Sequence, residues 1–281
     1  MDGKPSLTAR NVALLRAAHQ LLDAAAVFAD PLAVPICGEH ADAIRNFAVE
    51  QPWLARLRLF TAARSRFAEE KLAAAVDRGV EQAVVLGAGL DTMGLRNPHR
   101  DRGLRVFEVD STATQRWKLE RLKAANLTIP AWLTFVAVDF EREAVLDRLA
   151  MAGLNQNRPT FFSWLGVVPY LSRETVLETL AAIGNIPGVE VVFDYGEPPE
   201  IYPPDRRAGY EAMIARAASL GEPWLSFFRP DELARALSAC GFSEIEDLAP
   251  REVALRILRE VNPDPSAPGG HIVSARRLQE L

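Results

Sequence analysis

Two short runs carry most of the chemistry: QAVVLGAGLDT (Gln82 to Thr92) and RVFEVD (Arg105 to Asp110). In the first, Ala83, Val84, Val85 and Leu86 lead into Gly87-Ala88-Gly89 and then an acid, Asp91. A buried strand ended by Gly-x-Gly delivers the chain to a ligand, and glycine lets the backbone turn sharply and come close to it. The third glycine of the dinucleotide pattern G-x-G-x-x-G would fall at Thr92. The turn therefore suits an adenosine-like ligand better than a pyrophosphate. In the second run Glu108 and Asp110 alternate to one face of a strand. Asp110 lies 23 positions after Gly87, near the spacing at which an acid accepts from ribose hydroxyls. One of the two acids is expected to reach a ribose, because a carboxylate can accept from two hydroxyls at once.

Asp139 and Phe140 close a third apolar run. Asp139 could accept from an adenine amine with Phe140 on the ring face, or cap the helix that follows. Trp164 and Tyr170, in FFSWLGVVPYLS, either line a pocket or fill core. Tyr195 and Trp224 are further pocket candidates. His19, His99 and His271 read as structural or surface histidines. Cys37-x-x-His40 resembles half a metal site, but four histidines and no second cysteine pair give no reason to expect a metal. No hydrolase, zinc-protease or P-loop motif is present, and no catalytic residue can be named.

These residues need elements to hold them. From residue 80 the chain alternates strand and helix, with strands expected at Gln82–Leu86, Leu104–Val109, Leu133–Val138, Pro159–Trp164, Val189–Tyr195, Phe242–Asp247 and His271–Arg276. That rhythm predicts a doubly wound, mostly parallel, seven-stranded sheet of the α/β class, with an antiparallel pair at one edge. Three helices are expected before it, over Thr8–Ala26, Ala41–Glu50 and Trp53–Arg78. On the third, Leu57, Phe60, Arg64 and Phe67 share one stripe at about 100° per residue. An arginine in an apolar stripe calls for an anion, either a ligand carboxylate or a structural one. The rhythm stops between Glu197 and Pro230, where PPEIYPPD, a helix over Arg206–Leu220 and GEPWLSFF read as a lid at the strands' carboxyl ends. The division expected is a helical cap (1–79), a ligand-binding core (80–196), a lid (197–230) and a C-terminal completion of the sheet (231–281), all in one domain.

The 281 residues are 49% hydrophobic and 25% charged, with a net charge of −5, which fits an ordinary globular chain and argues against a nucleic-acid partner. No signal-like start or long apolar run is seen, so a cytoplasmic protein without a membrane partner is expected. Two cysteines give no disulfide framework.

In order, TAR (8–10), FADPLA (28–33), ARSRF (63–67), VVLGAGLDT, VFEVD, VDFE, TFFSWLGVVPYLS and FDYGEPPE resemble the leucine carboxyl methyltransferase-like family of class I S-adenosylmethionine-dependent methyltransferases. The closer resemblance is to a bacterial branch described as O-methyltransferases of polyketide or secondary metabolism. It implies a Rossmann-like fold, S-adenosyl-L-methionine as cofactor and a small-molecule carboxylate or hydroxyl as methyl acceptor. It places the methionine carboxylate on Arg64, the glycine turn on Gly87, Ala88 and Gly89 beside Asp91, the ribose on Asp110 rather than Glu108, and the adenine on Asp139 and Phe140. Leu165 stands where family members often carry a glutamate, a departure that bears on cofactor affinity or substrate choice. Two other readings compete: a nicotinamide-dependent oxidoreductase, and a non-catalytic S-adenosylmethionine-binding protein.

Overall fold

The computed structural model describes residues 6–49, 54–219, 221–264 and 269–278. The expected helix limits at Glu50, Trp53 and Leu220, and the middle of the Pro263–Gly270 stretch, lie outside these. The elements run α1 (Leu7–Leu22), α2 (Ala33–Cys37), α3 (Ala41–Val49), α4 (Leu54–Asp77), β1 (Gln82–Leu86), α5 (Met93–Arg96), β2 (Arg105–Asp110), α6 (Thr112–Ala124) and β3 (Leu133–Ala137). They continue with α7 (Val145–Met151), β4 (Thr160–Trp164), α8 (Arg173–Gly184), β5 (Glu190–Gly196), α9 (Pro204–Ser219), α10 (Pro230–Ala239), β6 (Glu244–Leu248), α11 (Pro250–Arg256) and β7 (Gly270–Arg276).

The sheet order is β3-β2-β1-β4-β5-β7-β6. The first five strands are parallel, and β7 runs antiparallel to both β5 and β6. β1 and β4 are buried along their whole length, as central parallel strands covered on both faces must be. One face packs Val84, Phe107, Phe162, Trp164 and Phe193 beneath α7, α8 and α10. The other packs Ala83, Val85, Val106, Phe161 and Val192 beneath α4 and α11. After β1 the chain winds outward through β2 and β3, then returns to β4 on the other side of β1. The crevice of such a sheet opens at that reversal, at the strands' carboxyl ends.

The helical cap differs from expectation in its details. α1 stops at Leu22 rather than Ala26, because Ala24 and Ala25 take left-handed backbone angles (φ 48° and 57°). His19 organises that turn: its Nδ1 meets Asp23 at 2.8 Å and its Nε2 accepts from the amides of Val27 and Phe28. FADPLA (28–33) leads into the short helix α2. Its Pro35 is tolerated because the first turn of a helix needs no amide there.

Candidate active site

A cleft of about 1140 Å³ opens at the carboxyl ends of β1, β2 and β4. Its floor is the Gly87–Asp91 turn. Gly87 is left-handed (φ +65°), and a Cβ there would lie 2.2 Å from Val167 Cγ2, so only glycine allows this turn against the β4 exit. Asp110, the last residue of β2, faces the cleft. Its Oδ2 accepts from the Gly89 amide and its Oδ1 from the Ser111 amide, both at 2.7 Å. Burial pushes its carboxyl upward, and the two amides oppose that rise by favouring the charged form. Asp139 and Phe140 border the cleft beyond β3. Asp139 also closes its own turn, its Oδ1 accepting from the Glu141 amide at 3.1 Å. It does not cap α7, which starts later, at Val145.

Glu108 is the correction on this wall. It is fully buried and ion-paired to Lys118 of α6, and it is absent from the cleft lining. It shares its strand face with Asp110 but lies one pleat deeper, under the helix. Desolvation pushes its carboxyl up to about 7.

Arg64 reaches the opposite wall from α4. Its Nη1 donates to Asp194 Oδ2 at 2.8 Å, and Asp194 Oδ1 accepts from the Gly166 amide at 2.6 Å. The anion that its apolar stripe demanded is therefore met by Asp194, at the end of β5. The guanidinium remains on the cleft surface with its Nη2 close to Gly166, where a Cβ would come within 2.5 Å of it. Leu165 lines the same wall.

Of the four pocket candidates, Tyr170 alone lines the cleft. Trp164 is core, with no exposure. Tyr195, a β5 residue, is buried and donates to Asp247 at 2.6 Å. His271 binds Asp247 Oδ1 at 2.8 Å and Glu197 at 3.3 Å, and these carboxylates hold its imidazolium up to about 9 against the effect of burial. Trp224 packs edge-on behind Tyr170, centroids 6.4 Å apart. From the 197–230 stretch, Gly221, Glu222, Pro223 and Leu225 line the cleft, whereas α9 stands outside it and buries only Tyr210. Leu225 and Ser226 are tied to the 168–170 turn through backbone and hydroxyl bonds. Glu222 accepts from Ser6 Oγ at 2.5 Å and from the Thr8 amide at 2.6 Å, joining the 221–225 strap to the first turn of α1.

Sequence reasoning missed Arg16 of α1, which lines the cleft and is bonded to Asp30, Asp91 and Thr92. The signal was available: Arg16 falls between Val12 and His19 on an apolar helix face, the same pattern that singled out Arg64. Among the described residues no cluster of histidine, cysteine and acid could hold a metal.

The family model for leucine carboxyl methyltransferase matches residues 9–184, more than half of the chain. The chain belongs to the leucine carboxyl methyltransferase family. It is thereby an S-adenosylmethionine-dependent methyltransferase, and the oxidoreductase reading falls. One relative is 34% identical over 276 residues, 88% of this chain and 90% of its own length; it is the Bacillus subtilis (strain 168) protein named "Putative S-adenosyl-L-methionine-dependent methyltransferase YktD". A protein of the same description from Mycolicibacterium paratuberculosis is 34% identical over 174 residues, 59% of this chain and 53% of its own. A crystal structure of a DUF574 family protein from Streptomyces avermitilis shares the fold, with a TM-score of 0.56 and 16% identity over 94% of this chain and 96% of that one.

The donor set in the cleft fits the family's cofactor. The lining holds a carboxylate (Asp110) at the end of β2, a guanidinium (Arg64) from α4, and apolar surface from Phe140 and Leu171, the donor types that a diol, a carboxylate and a base would call for.

Proposed function

We propose that the cleft binds S-adenosylmethionine along Arg64, Gly87–Asp91, Asp110 and Asp139-Phe140, and that the chain methylates a carboxylate or hydroxyl oxygen of a small molecule. The observation that carries the reading is Asp110. Two backbone amides fix its carboxylate at the cleft wall, and a carboxylate held there can accept from two neighbouring ribose hydroxyls.

The cofactor, when bound, supplies an electrophilic methyl group on a positively charged sulfur. The chain's own contribution is orientation, which can be worth roughly 7–11 kcal/mol of a barrier. Asp110 sets the ribose end, and Arg64, itself held by Asp194, sets the amino-acid end. Gly221, Glu222, Pro223, Leu225 and Tyr170 also line the cleft, and closing them over the ligands would restrict water. The described cleft-lining residues include no histidine. An acceptor oxygen that arrives already ionised needs no base, which supports a carboxylate or acidic hydroxyl over a neutral alcohol. The volume also supports a second ligand, since about 1140 Å³ exceeds the roughly 300–1,000 Å³ common for single-ligand pockets.

Calorimetry with S-adenosylmethionine and its demethylated product, S-adenosylhomocysteine, tests the site: wild type binds and Asp110→Ala loses most of the affinity. Methyl-labelled cofactor, offered with panels of carboxylic acids, phenols and amines, tests the acceptor. Label released as methanol by alkali marks a methyl ester. Transfer to amines alone would overturn the oxygen assignment.

A further inference from the structure

Thr92, in place of a third glycine, never reaches the cleft; it is completely buried. Its hydroxyl donates to Asp30 Oδ1 at 2.7 Å and accepts from Arg96 Nε at 2.9 Å and Arg16 Nη2 at 3.2 Å. Asp30 comes from the FADPLA stretch, is 1% exposed, and is ion-paired to Arg16. The stretch that no ligand role absorbs and the residue that breaks the glycine pattern are thus two parts of one buried network.

Stability is a weak reason for such a network. Buried ion pairs are often no better than well-packed apolar groups of the same volume. Arg16 Nε is moreover buried with no hydrogen-bond partner among the described residues, which is a cost. What the network does, and apolar packing could not, is aim the loop after β1. Arg16 Nη1 donates to Asp91 Oδ2 at 3.3 Å and to the Leu90 carbonyl at 3.4 Å. Asp91 Oδ1 accepts from the Met93 amide at 2.7 Å, and Lys118 Nζ donates to the Asp91 carbonyl at 2.6 Å. Asp91 keeps a quarter of its side chain exposed on the cleft wall, two residues from Gly89.

We propose that Arg16 is a positioning residue: anchored by Asp30, it fixes Asp91 and the Gly87–Asp91 turn in the shape that accepts the cofactor. This rests on the reading of the cleft as the S-adenosylmethionine site. A lysine at position 16 keeps the charge but cannot bridge Asp30, Asp91 and the Leu90 carbonyl together.

The experiment is a double-mutant cycle in S-adenosylhomocysteine affinity, measured by calorimetry on wild type, Arg16→Lys, Asp91→Asn and the double variant. Arg16→Lys lowers affinity by about tenfold, as expected for a charge-assisted bond lost at one remove. In the Asp91→Asn background the same change adds little, because Arg16 acts through Asp91. Unchanged affinity in Arg16→Lys overturns the proposal, and so do losses that multiply in the double variant. If Arg16→Lys does not fold, Asp30→Asn carries the test, since it releases Arg16 and touches no cleft atom. Hydrogen exchange at amides 88–93 then quickens and affinity falls; no change in either overturns the proposal. A wild-type chain that binds neither S-adenosylhomocysteine nor S-adenosylmethionine overturns the cofactor reading itself, and this inference with it.

Discussion

Glu108 and Asp110 are two residues apart on one strand, yet only Asp110 meets the cleft. The difference is depth: Asp110 ends β2, where the sheet opens, while Glu108 lies beneath α6 against Lys118. Breaking a buried pair by removing one partner leaves an uncompensated charge. Lys118→Met is therefore expected to lower stability by about 3–5 kcal/mol in urea denaturation, and adding Glu108→Gln to restore much of it. His271 supports a prediction of opposite chemistry. Its folded pKa is raised from 6.5 to about 9 by Asp247 and Glu197. The native state then holds a proton that the unfolded chain has released. This contribution is fully present below pH 6.5 and is lost as pH rises through about 9. The melting temperature should fall across that range, and His271→Gln should flatten the dependence. Arg64 belongs to the same scale: the stripe showed that it needed an anion, but only the fold showed that Asp194 supplies one.

At the scale of elements, strands were readable almost to the residue because a buried parallel strand is an apolar run bounded by turn residues. β1 has the expected limits, and the other strands shift by one or two positions. The break in rhythm at 197–230 was readable, but which part of it lines the cleft was not. α9 supplies the helical pattern, while the irregular 221–225 strap lines the site, and an irregular strap has no period to read. The strap's tie to α1 is Glu222, bonded to Ser6 and Thr8. Glu222→Ala should speed the release of bound S-adenosylhomocysteine in stopped-flow exchange while leaving the melting temperature of the free chain nearly unchanged. Equal release rates would show that the strap does not gate the cleft.

For the whole molecule, cleft and fold are coupled by linkage. The site draws on α1, α4, β1, β2, the β3 and β4 exits and the strap, so a ligand that binds only when all are assembled stabilises all of them. At a hundredfold excess over Kd the gain is about 2.7 kcal/mol, which for a chain of this size is a rise in melting temperature of roughly 5–10 °C. Differential scanning fluorimetry with S-adenosylhomocysteine checks it, and Asp110→Ala should abolish the shift.

The sequence alone determined the alternating α/β order, the glycine turn, the acid at the end of β2 and the family. Each of these is local: a period, a breaker or a short spacing along one strand or turn. The tertiary structure decided which of two acids faces the cleft, which aromatics are wall and which are core, and what Arg16, Arg64 and Thr92 bind. Those are questions of depth and of partners distant in the chain, such as Arg64 with Asp194 or Ser6 with Glu222. No local pattern encodes them, because the partner is chosen by how the layers pack.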